Sequence, residues 1–170
     1  MQLHEVMSHP AVTCPVDCTA DVPARLMWEF DCGVIPLVDQ DGRLAGIVTD
    51  RDLCMAALMQ GKPLFEIAVS SVMTRDVVYC RPEDGVETAE TQMRDNQIRR
   101  LPVVDEDSHP VGVFSVNDLS RLASSAKRSV IDRDLVRTLG AVSQPRGNGL
   151  HTPIVQDTPI AQDTPIPARC

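Results

Sequence analysis

Short apolar runs in the first part of the chain mark its strands. The runs at 34–38 and 44–48 have strand length, and the intervening Asp-Gln-Asp-Gly combines residues that favour chain reversal. A third strand is predicted near 11–14. The two longer runs therefore form a predicted hairpin.

Segments with helical spacing of apolar residues separate these strands. The spacing predicts a helix over 21–31, with Ala24, Met27 and Trp28 facing inward, and a second helix over 51–60. A long helical crossover joins parallel strands, whereas a tight turn joins antiparallel ones. The predicted order is strand, helix, strand, strand, helix, with the first two strands parallel and the hairpin antiparallel.

The same pattern returns after a fixed interval. The stretch GIVTDRDL at 46–53 recurs as GVFSVNDL at 112–119, 66 residues later, and IPLVD at 35–39 recurs as LPVVD at 101–105. A helix over 84–97 matches the first crossover. Because a fixed period without gaps indicates a repeated structural unit, the chain is predicted to contain two copies of one fold.

Each predicted unit has only a small sheet with one apolar face. The predicted class is therefore α/β (α+β), with two pseudo-symmetric β-α-β-β-α repeats packed sheet to sheet. The predicted boundaries are repeat 1 at 2–61, a linker at 62–71, repeat 2 at 72–125, a C-terminal helix at 126–140 and a tail at 141–170.

The last two segments differ from the repeats. The helix is amphipathic, with Val130, Ile131, Leu135, Val136 and Leu139 clustered, and is expected to cover the module or a partner chain. The tail repeats Thr-Pro-Ile every six residues, and proline removes backbone donors and blocks helix formation. A disordered or extended tail is predicted.

Composition and charge exclude several classes of function. The net charge of −8 opposes binding to DNA or RNA, which requires a basic face. No apolar run is long enough to span a bilayer and no signal peptide is recognised, so a cytoplasmic protein without membrane contact is expected. The six irregularly spaced cysteines do not resemble a secreted disulfide scaffold, and Cys14 and Cys80 are interpreted as small buried apolar residues.

The repeated motifs resemble those of a CBS-domain pair, also called a Bateman module, of the stand-alone type. The resemblance rests on two in-register copies of Gly-h-h-[Thr/Ser]-x-x-Asp, where h is apolar, and on the proline-containing strand before each copy. It covers residues 2 to about 125. It implies clefts that bind adenine-containing ligands such as AMP, ATP, NAD or S-adenosylmethionine, and modules that often form homodimers.

The resemblance also implies roles for the motif residues. Asp52 and Asp118 would accept hydrogen bonds from ribose hydroxyls, while Thr49 and Ser115 would contact phosphate at a helix start, where free amides favour anions. The alternative is that hydroxyl and carboxylate form a capping box, which requires no ligand. Capping and binding can coexist.

A basic pair distinguishes the second repeat from the first. Arg99 and Arg100 precede the proline-containing strand, and in the family basic residues at these positions reach ligand phosphates, for which the arginine fork is suited. Strand alternation predicts that the two side chains point to opposite faces, so that one enters the cleft. The alternative is a surface ion pair with Asp95 or Glu106.

Weaker candidates complete the predicted site. Arg51, Asn117, Pro36 and Pro102 are predicted as secondary ligand contacts, and solvated helix positions explain Arg51 and Asn117 equally well. No metal site is predicted, because His4, His9, Cys14 and Cys18 lack the spacing of metal ligands. No catalytic residues are predicted either, since no nucleophile and base pair is recognised.

Two functional classes remain. The first is a non-catalytic regulatory module that binds an adenine nucleotide between the repeats and changes conformation or dimer state to regulate a partner protein, which no motif identifies. The second is a structural dimerisation scaffold whose clefts are empty. An enzyme is a distant third, because no second domain is predicted to carry catalytic groups.

Overall fold

The computed structural model describes residues 1–124 and 131–145. Of the predicted C-terminal segments, 126–130 and 146–170 lie outside these ranges. None of the helices within them has the length and apolar character that crossing a membrane requires.

The first repeat has the predicted element order. Its elements are β1 (Cys14–Pro15), α1 (Asp21–Glu29), β2 (Val34–Val38), β3 (Leu44–Thr49) and α2 (Asp50–Gln60). Strands β1 and β2 are parallel, with Cys14 opposite Leu37, and β2 and β3 are antiparallel. The predicted strand directions are therefore confirmed.

The second repeat follows the same plan. Its elements are α3 (Val86–Asn96), β4 (Arg100–Val104), β5 (Pro110–Ser115) and α4 (Val116–Ser124). Strands β4 and β5 form the antiparallel hairpin, and a parallel bridge between Cys80 and Val103 stands where β1 pairs with β2 in the first repeat. The mixed α/β class with two repeats is confirmed.

The inward orientation predicted for Trp28 is wrong. Its neighbour Met27 is 7% exposed, whereas Trp28 is 90% exposed. Successive helical residues point about 100° apart, so a helix that buries Met27 turns Trp28 away from the sheet. A large aromatic side chain is therefore left on the surface of the first repeat.

Each repeat has its own hydrophobic core. Each core also contains a residue from the segment that precedes the other repeat. Leu3, from the N-terminus, is fully buried against Leu101 and Phe114 of the second repeat. Val69, from the segment before the second repeat, is fully buried in the core that contains Ile35. The two repeats thus exchange their leading segments: Leu3 lies within the predicted repeat 1, and Val69 within the predicted linker.

Backbone hydrogen bonds fix this exchange. Ile47 on β3 donates to Thr74 and accepts from it, both at 2.9 Å, and Ser8 exchanges the same pair of bonds with Val113 on β5 at 3.0 and 2.9 Å. The four residues are related by the 66-residue offset. Each exchanged segment therefore pairs with the strand that leads into the Thr/Ser-x-x-Asp motif.

The glycine of each motif makes room for the exchanged segment. A Cβ on Gly112 would lie 2.5 Å from Met7 Sδ and 2.9 Å from the Ser8 carbonyl oxygen, and one on Gly46 would lie 2.7 Å from Met73 Sδ. Real Cβ atoms do not approach other atoms so closely. The close approach of two backbones thus explains why both motifs begin with glycine.

A fifth helix, α5 (Ile131–Val142), packs against α3 and α4. Arg94 on α3 donates to Oγ1 of the buried Thr138 at 3.1 Å. The predicted amphipathic helix thus covers the module, although Val136, assigned to its apolar cluster, is 67% exposed. Arg94 is the counterpart of Trp28, so the helical face that α5 covers in the second repeat is uncovered in the first.

We predict that Gly112→Ala destabilises the protein by about 1–3 kcal/mol, because the added methyl group overlaps the Met7–Ser8 segment. This loss corresponds to a fall of roughly 2–4 °C in melting temperature per kcal/mol. Gly140→Ala is the control, because nothing lies within 4 Å of the added Cβ and alanine favours a helix. Equal melting temperatures for both variants would contradict the close-approach argument.

Candidate functional site

The hydroxyl and carboxylate of each repeated motif contact each other at a helix start. At α2, the amide and Oγ1 of Thr49 donate to Asp52 Oδ2 at 2.9 and 2.7 Å. At α4, the amide and Oγ of Ser115 donate to Asp118 Oδ2 at 2.7 and 2.5 Å. The capping role is therefore present in the geometry, and the ligand-binding role stays a prediction.

The two carboxylates differ in their surroundings. Asp118 is buried, and its Oδ1 accepts from Ser8 Oγ at 3.2 Å and from Arg121 Nη2. Asp52 is partly exposed, and within the described residues its carboxylate accepts hydrogen bonds through Oδ2 alone. Asp118 therefore also connects the exchanged N-terminal segment to α4. Among the described residues, Asp52 makes no such connection between α2 and the segment that contains Thr74.

The first turns of α2 and α4 offer different surfaces to an anion. In α2, the Arg51 amide donates to the Asp50 carboxylate at 2.8 Å. In α4, Val116 replaces Asp50, and the Asn117 amide has no acceptor in the described part of the chain. Because a free amide attracts an anion and a carboxylate repels it, the start of α4 is the better site for phosphate.

A cleft of about 260 Å³ opens beside the start of α4. Arg99 and Arg100 both line it, together with Ser115 and Asn117. The predicted alternation between the arginines does not hold, because Arg99 lies in a bend before β4 begins and only Arg100 belongs to the strand. The structure thus brings four predicted site residues to one cleft.

The alternative partners for this basic pair are not found. Over residues 1–124 and 131–145, neither arginine forms an ion pair with Asp95 or Glu106. Arg99 donates through Nε to the Val142 carbonyl at 3.4 Å, a long hydrogen bond to a neutral acceptor. The two positive charges at the cleft are thus not neutralised by those carboxylates.

Arg100 extends from the second repeat to the first. A Cβ on Gly33 would lie 2.5 Å from Arg100 Nη2 and 2.9 Å from Asp50 Oδ2. The absence of a side chain at residue 33 therefore provides the space in which the guanidinium lies. Arg100 touches the start region of α2 while it lines the cleft beside α4, so both repeats contribute to its surroundings.

The remaining predicted site residues are not among those that line this cleft. Asp118 lies behind Ser115, while Thr49 and the exposed Arg51 belong to the start of α2. Pro36 and Pro102 are buried in their strands, opposite Ile47 and Val113 respectively. The structure does not bring these prolines to the lining of the α4 cleft.

Three residues of the cleft were not predicted as site residues: Leu139 and Val142 of α5, and Ser143 directly after it. The amphipathic pattern of α5 predicted a covering helix. It did not indicate which surface the helix covers, because an apolar stripe fits any complementary face. Among the residues that the structure describes, no three or more His, Cys, Asp or Glu side chains form a cluster that could hold a metal ion.

Comparison with known families agrees with this architecture. The family model described as "CBS domain" matches the chain twice, at residues 3–58 and 69–125. These matches include both exchanged segments and both Thr/Ser-x-x-Asp motifs. The chain belongs to the CBS domain family.

Relatives include proteins of very different length. The CBS domain-containing protein YhcV of Bacillus subtilis is 35% identical over 116 residues, which are 68% of this chain and 81% of YhcV. A homoserine O-acetyltransferase of Methanohalobium evestigatum is 33% identical over 118 residues. The matched region spans 69% of this chain but only 23% of that enzyme.

Solved structures share the fold. The CBS domain pair of protein MJ0100, in complex with 5′-methylthioadenosine and S-adenosyl-L-methionine, has a TM-score of 0.66 and 28% identity, and covers 75% of this chain and 98% of its own. The CBS domain protein PAE2072 from Pyrobaculum aerophilum, complexed with AMP, has a TM-score of 0.66 and 24% identity, and covers 81% and 99%.

We predict that the two motif aspartates contribute unequally to stability. Asp52→Ala should cost about 1 kcal/mol through the loss of one capping box. Asp118→Ala should cost roughly 2–3 kcal/mol, because it also removes the acceptor of Ser8 and Arg121 in a buried setting. Urea unfolding measures the free energy of unfolding of both variants, and Asp76→Ala, at an exposed position, is the control. Equal losses for Asp52 and Asp118 would contradict this assignment.

Proposed function

We propose that this chain is a non-catalytic regulatory module that binds an adenine nucleotide, with its phosphates in the cleft beside the start of α4. The observation that carries the proposal is the pair of guanidinium groups, Arg99 and Arg100, beside an α-helix start whose Asn117 amide has no acceptor among the described residues. Arginine binds phosphate with two parallel hydrogen bonds, and the helix start adds a partial positive charge.

The difference between the repeats supports this choice of cleft. The first repeat has Gly33 where the second has Arg99, and Asp50 where the second has Val116. An anion at the start of α2 would meet the Asp50 carboxylate as well as the nearby Arg100, whereas one at the start of α4 would meet Arg99 and Arg100 with the neutral Val116 in place of that carboxylate. We infer that the α4 cleft holds the phosphates.

The sugar end of the ligand would lie deeper, near the motif carboxylate. Asp118 Oδ1 already accepts from Ser8 and from Arg121. The Arg121 side chain, which also contacts Ser8 Oγ, is 65% exposed. We infer that a ribose diol takes the place of Arg121 on Asp118 Oδ1, since a diol donates well to a carboxylate.

The CBS domain pair of MJ0100 supports the adenine-containing class of ligand, because it holds 5′-methylthioadenosine and S-adenosyl-L-methionine. Neither ligand carries a phosphate. The arginine pair instead favours an anionic ligand such as AMP, ATP or NAD over the sulfonium cation. The positive charge at the cleft is thus the feature that would favour phosphorylated over uncharged or cationic ligands of this class.

Regulation would follow from the position of Arg100. A phosphate that engages this guanidinium draws it toward the α4 cleft and away from Gly33 and Asp50 of the first repeat. Binding would then change the contact between the repeats, and with it the surface or dimer state that a partner protein recognises. The partner is not identified by any feature of the chain.

The dimer would form through the first repeat. Trp28, Leu58 and Phe65 are 90%, 72% and 62% exposed and lie on three elements that pack together, namely α1, α2 and the 3-10 turn Leu64–Glu66. The equivalent face of the second repeat is covered by α5. A second copy of the chain, joined through this apolar face, would bury it by twofold symmetry.

We predict that a thermal-shift screen of AMP, ADP, ATP, NAD, NADH and S-adenosylmethionine identifies at least one stabilising phosphorylated ligand. A ligand at 100 times its dissociation constant stabilises the folded state by about 2.7 kcal/mol. In the variant Arg99→Ala/Arg100→Ala, this ligand should no longer raise the melting temperature, while the smaller rise with adenosine is kept.

The control for this experiment is Arg25→Ala/Arg43→Ala, which removes two exposed arginines of the first repeat. It has the same change in net charge and should retain the full shift. Equal losses for nucleotide and adenosine would reject the phosphate site. No shift with any ligand would favour the scaffold with empty clefts.

We also predict that the wild-type chain sediments as a dimer and that Trp28→Lys/Leu58→Lys sediments as a monomer, because each lysine places a charge in the apolar contact. Val136→Lys, at an equally exposed apolar position on α5, is the control and should leave the dimer intact. A dimer that survives the double substitution would place the interface elsewhere.

A further inference from the structure

Two cysteine side chains lie side by side at the start of the first repeat. The Sγ atoms of Cys14 and Cys18 are 3.5 Å apart, and both are free thiols. Cys14 belongs to β1, and the chain then reverses, with the Cys18 amide donating to the Pro15 carbonyl at 3.4 Å. A modest rotation of the side chains would bring the sulfur atoms to bonding distance.

The backbone on both sides of this turn is held in place. Cys14 is paired with Leu37 in the sheet, and the Cys18 carbonyl accepts from the Val69 amide at 3.1 Å. The next bond, from the Ala20 amide to the Ile67 carbonyl, is 2.8 Å long. The proximity of the thiols therefore results from the packed fold and not from a flexible loop.

The second repeat provides a natural comparison for this pair. Cys80 is the counterpart of Cys14, but Asp84 stands at the position of Cys18, and its Oδ2 accepts from the Arg81 amide at 2.7 Å to close the turn. A cysteine thiol is a poorer acceptor than this carboxylate. The turn thus does not need a cysteine at residue 18, and the pair calls for an explanation other than the repeat architecture.

The two thiols differ in access. Cys14 is 3% exposed and lies in the core, whereas Cys18 is partly exposed. Burial raises the pKa of both thiols, and the nearby Asp17 and Asp21 carboxylates raise the pKa of Cys18 further. A soluble oxidant therefore meets Cys18 first, and reaction at neutral pH is slow because the thiolate is scarce.

We propose that Cys14 and Cys18 form a reversible oxidation site whose oxidant is a low-molecular-weight disulfide. The Cys18 thiolate attacks one sulfur of the oxidant, the disulfide bond of the oxidant breaks, and one small thiolate leaves. The Cys14 thiolate then attacks Cys18 Sγ and expels the second small thiolate. Two protein thiols are oxidised, one small disulfide is reduced to two thiols, and the protein thiol protons pass to the leaving groups.

The test uses the full chain and oxidised glutathione. After incubation, the chain is unfolded in urea so that every remaining thiol is alkylated, and trypsin then releases residues 1–25 as one peptide, because Arg25 is the first basic cleavage site. This peptide should lose the mass of two hydrogens and take up no alkylating reagent, and dithiothreitol should restore both thiols. The peptide with Cys80 is the internal control and should be fully alkylated throughout.

Two variants separate the steps. In Cys14→Ser, the Cys18 mixed disulfide with glutathione should accumulate, because the resolving thiol is missing. In Cys18→Ser, Cys14 should stay reduced. Two results with the wild-type chain would overturn the proposal: a stable mixed disulfide at Cys18, or two alkylated thiols at Cys14 and Cys18 when the exposed Cys54 is fully modified by glutathione.

Discussion

The reciprocal exchange of leading segments is the constraint on which the rest of the structure depends. Each segment forms two backbone hydrogen bonds with the strand that precedes the Thr/Ser-x-x-Asp motif, between Ser8 and Val113 and between Thr74 and Ile47. Each core contains a buried residue from the segment that precedes the other repeat, Leu3 in one and Val69 in the other, so a repeat separated from its neighbour would lose part of its core. The position of Arg100 over Gly33 is one consequence, since it requires a fixed relation between the repeats.

The two repeats keep one backbone plan and differ in single side chains with large local effects. Val116 in place of Asp50 removes a negative charge from a helix start, and Arg99 in place of Gly33 adds a positive one. Arg94 in place of Trp28 binds Thr138 of α5, whereas the tryptophan is left exposed. These differences in charge and apolar surface between equivalent positions are the basis on which we propose an anion-binding role for the second repeat and an association role for the first.

The sequence was informative where local pattern determines structure. The hairpin of β2 and β3 and its copy were predictable because strand runs and turn residues are local signals. The orientation of Trp28 was not, because one residue along a helix changes the face, and apolar spacing alone does not reveal which face is covered. The segment exchange and the docking of α5 were also beyond prediction, since they depend on contacts between residues far apart in sequence. The cleft was therefore only partly predictable. Arg99 and Ser115 were recognised from their motifs, but Val142 was not, because it reaches the cleft through the docking of α5.

The atoms that cap α4 are the same atoms that the proposed ligand would contact, so binding would have to compete with capping. The Ser115 hydroxyl donates to Asp118 at 2.5 Å, so it offers a phosphate no proton unless that bond breaks. The Ser115 amide also donates to Asp118, which would hold the carboxylate in place if the hydroxyl turned away. A phosphate that captures the hydroxyl therefore costs one hydrogen bond, about 1 kcal/mol, and leaves the helix capped. Arg99 and Arg100 would offset that cost, whereas at the start of α2 the Asp50 carboxylate lies near the Arg100 guanidinium and would oppose a phosphate.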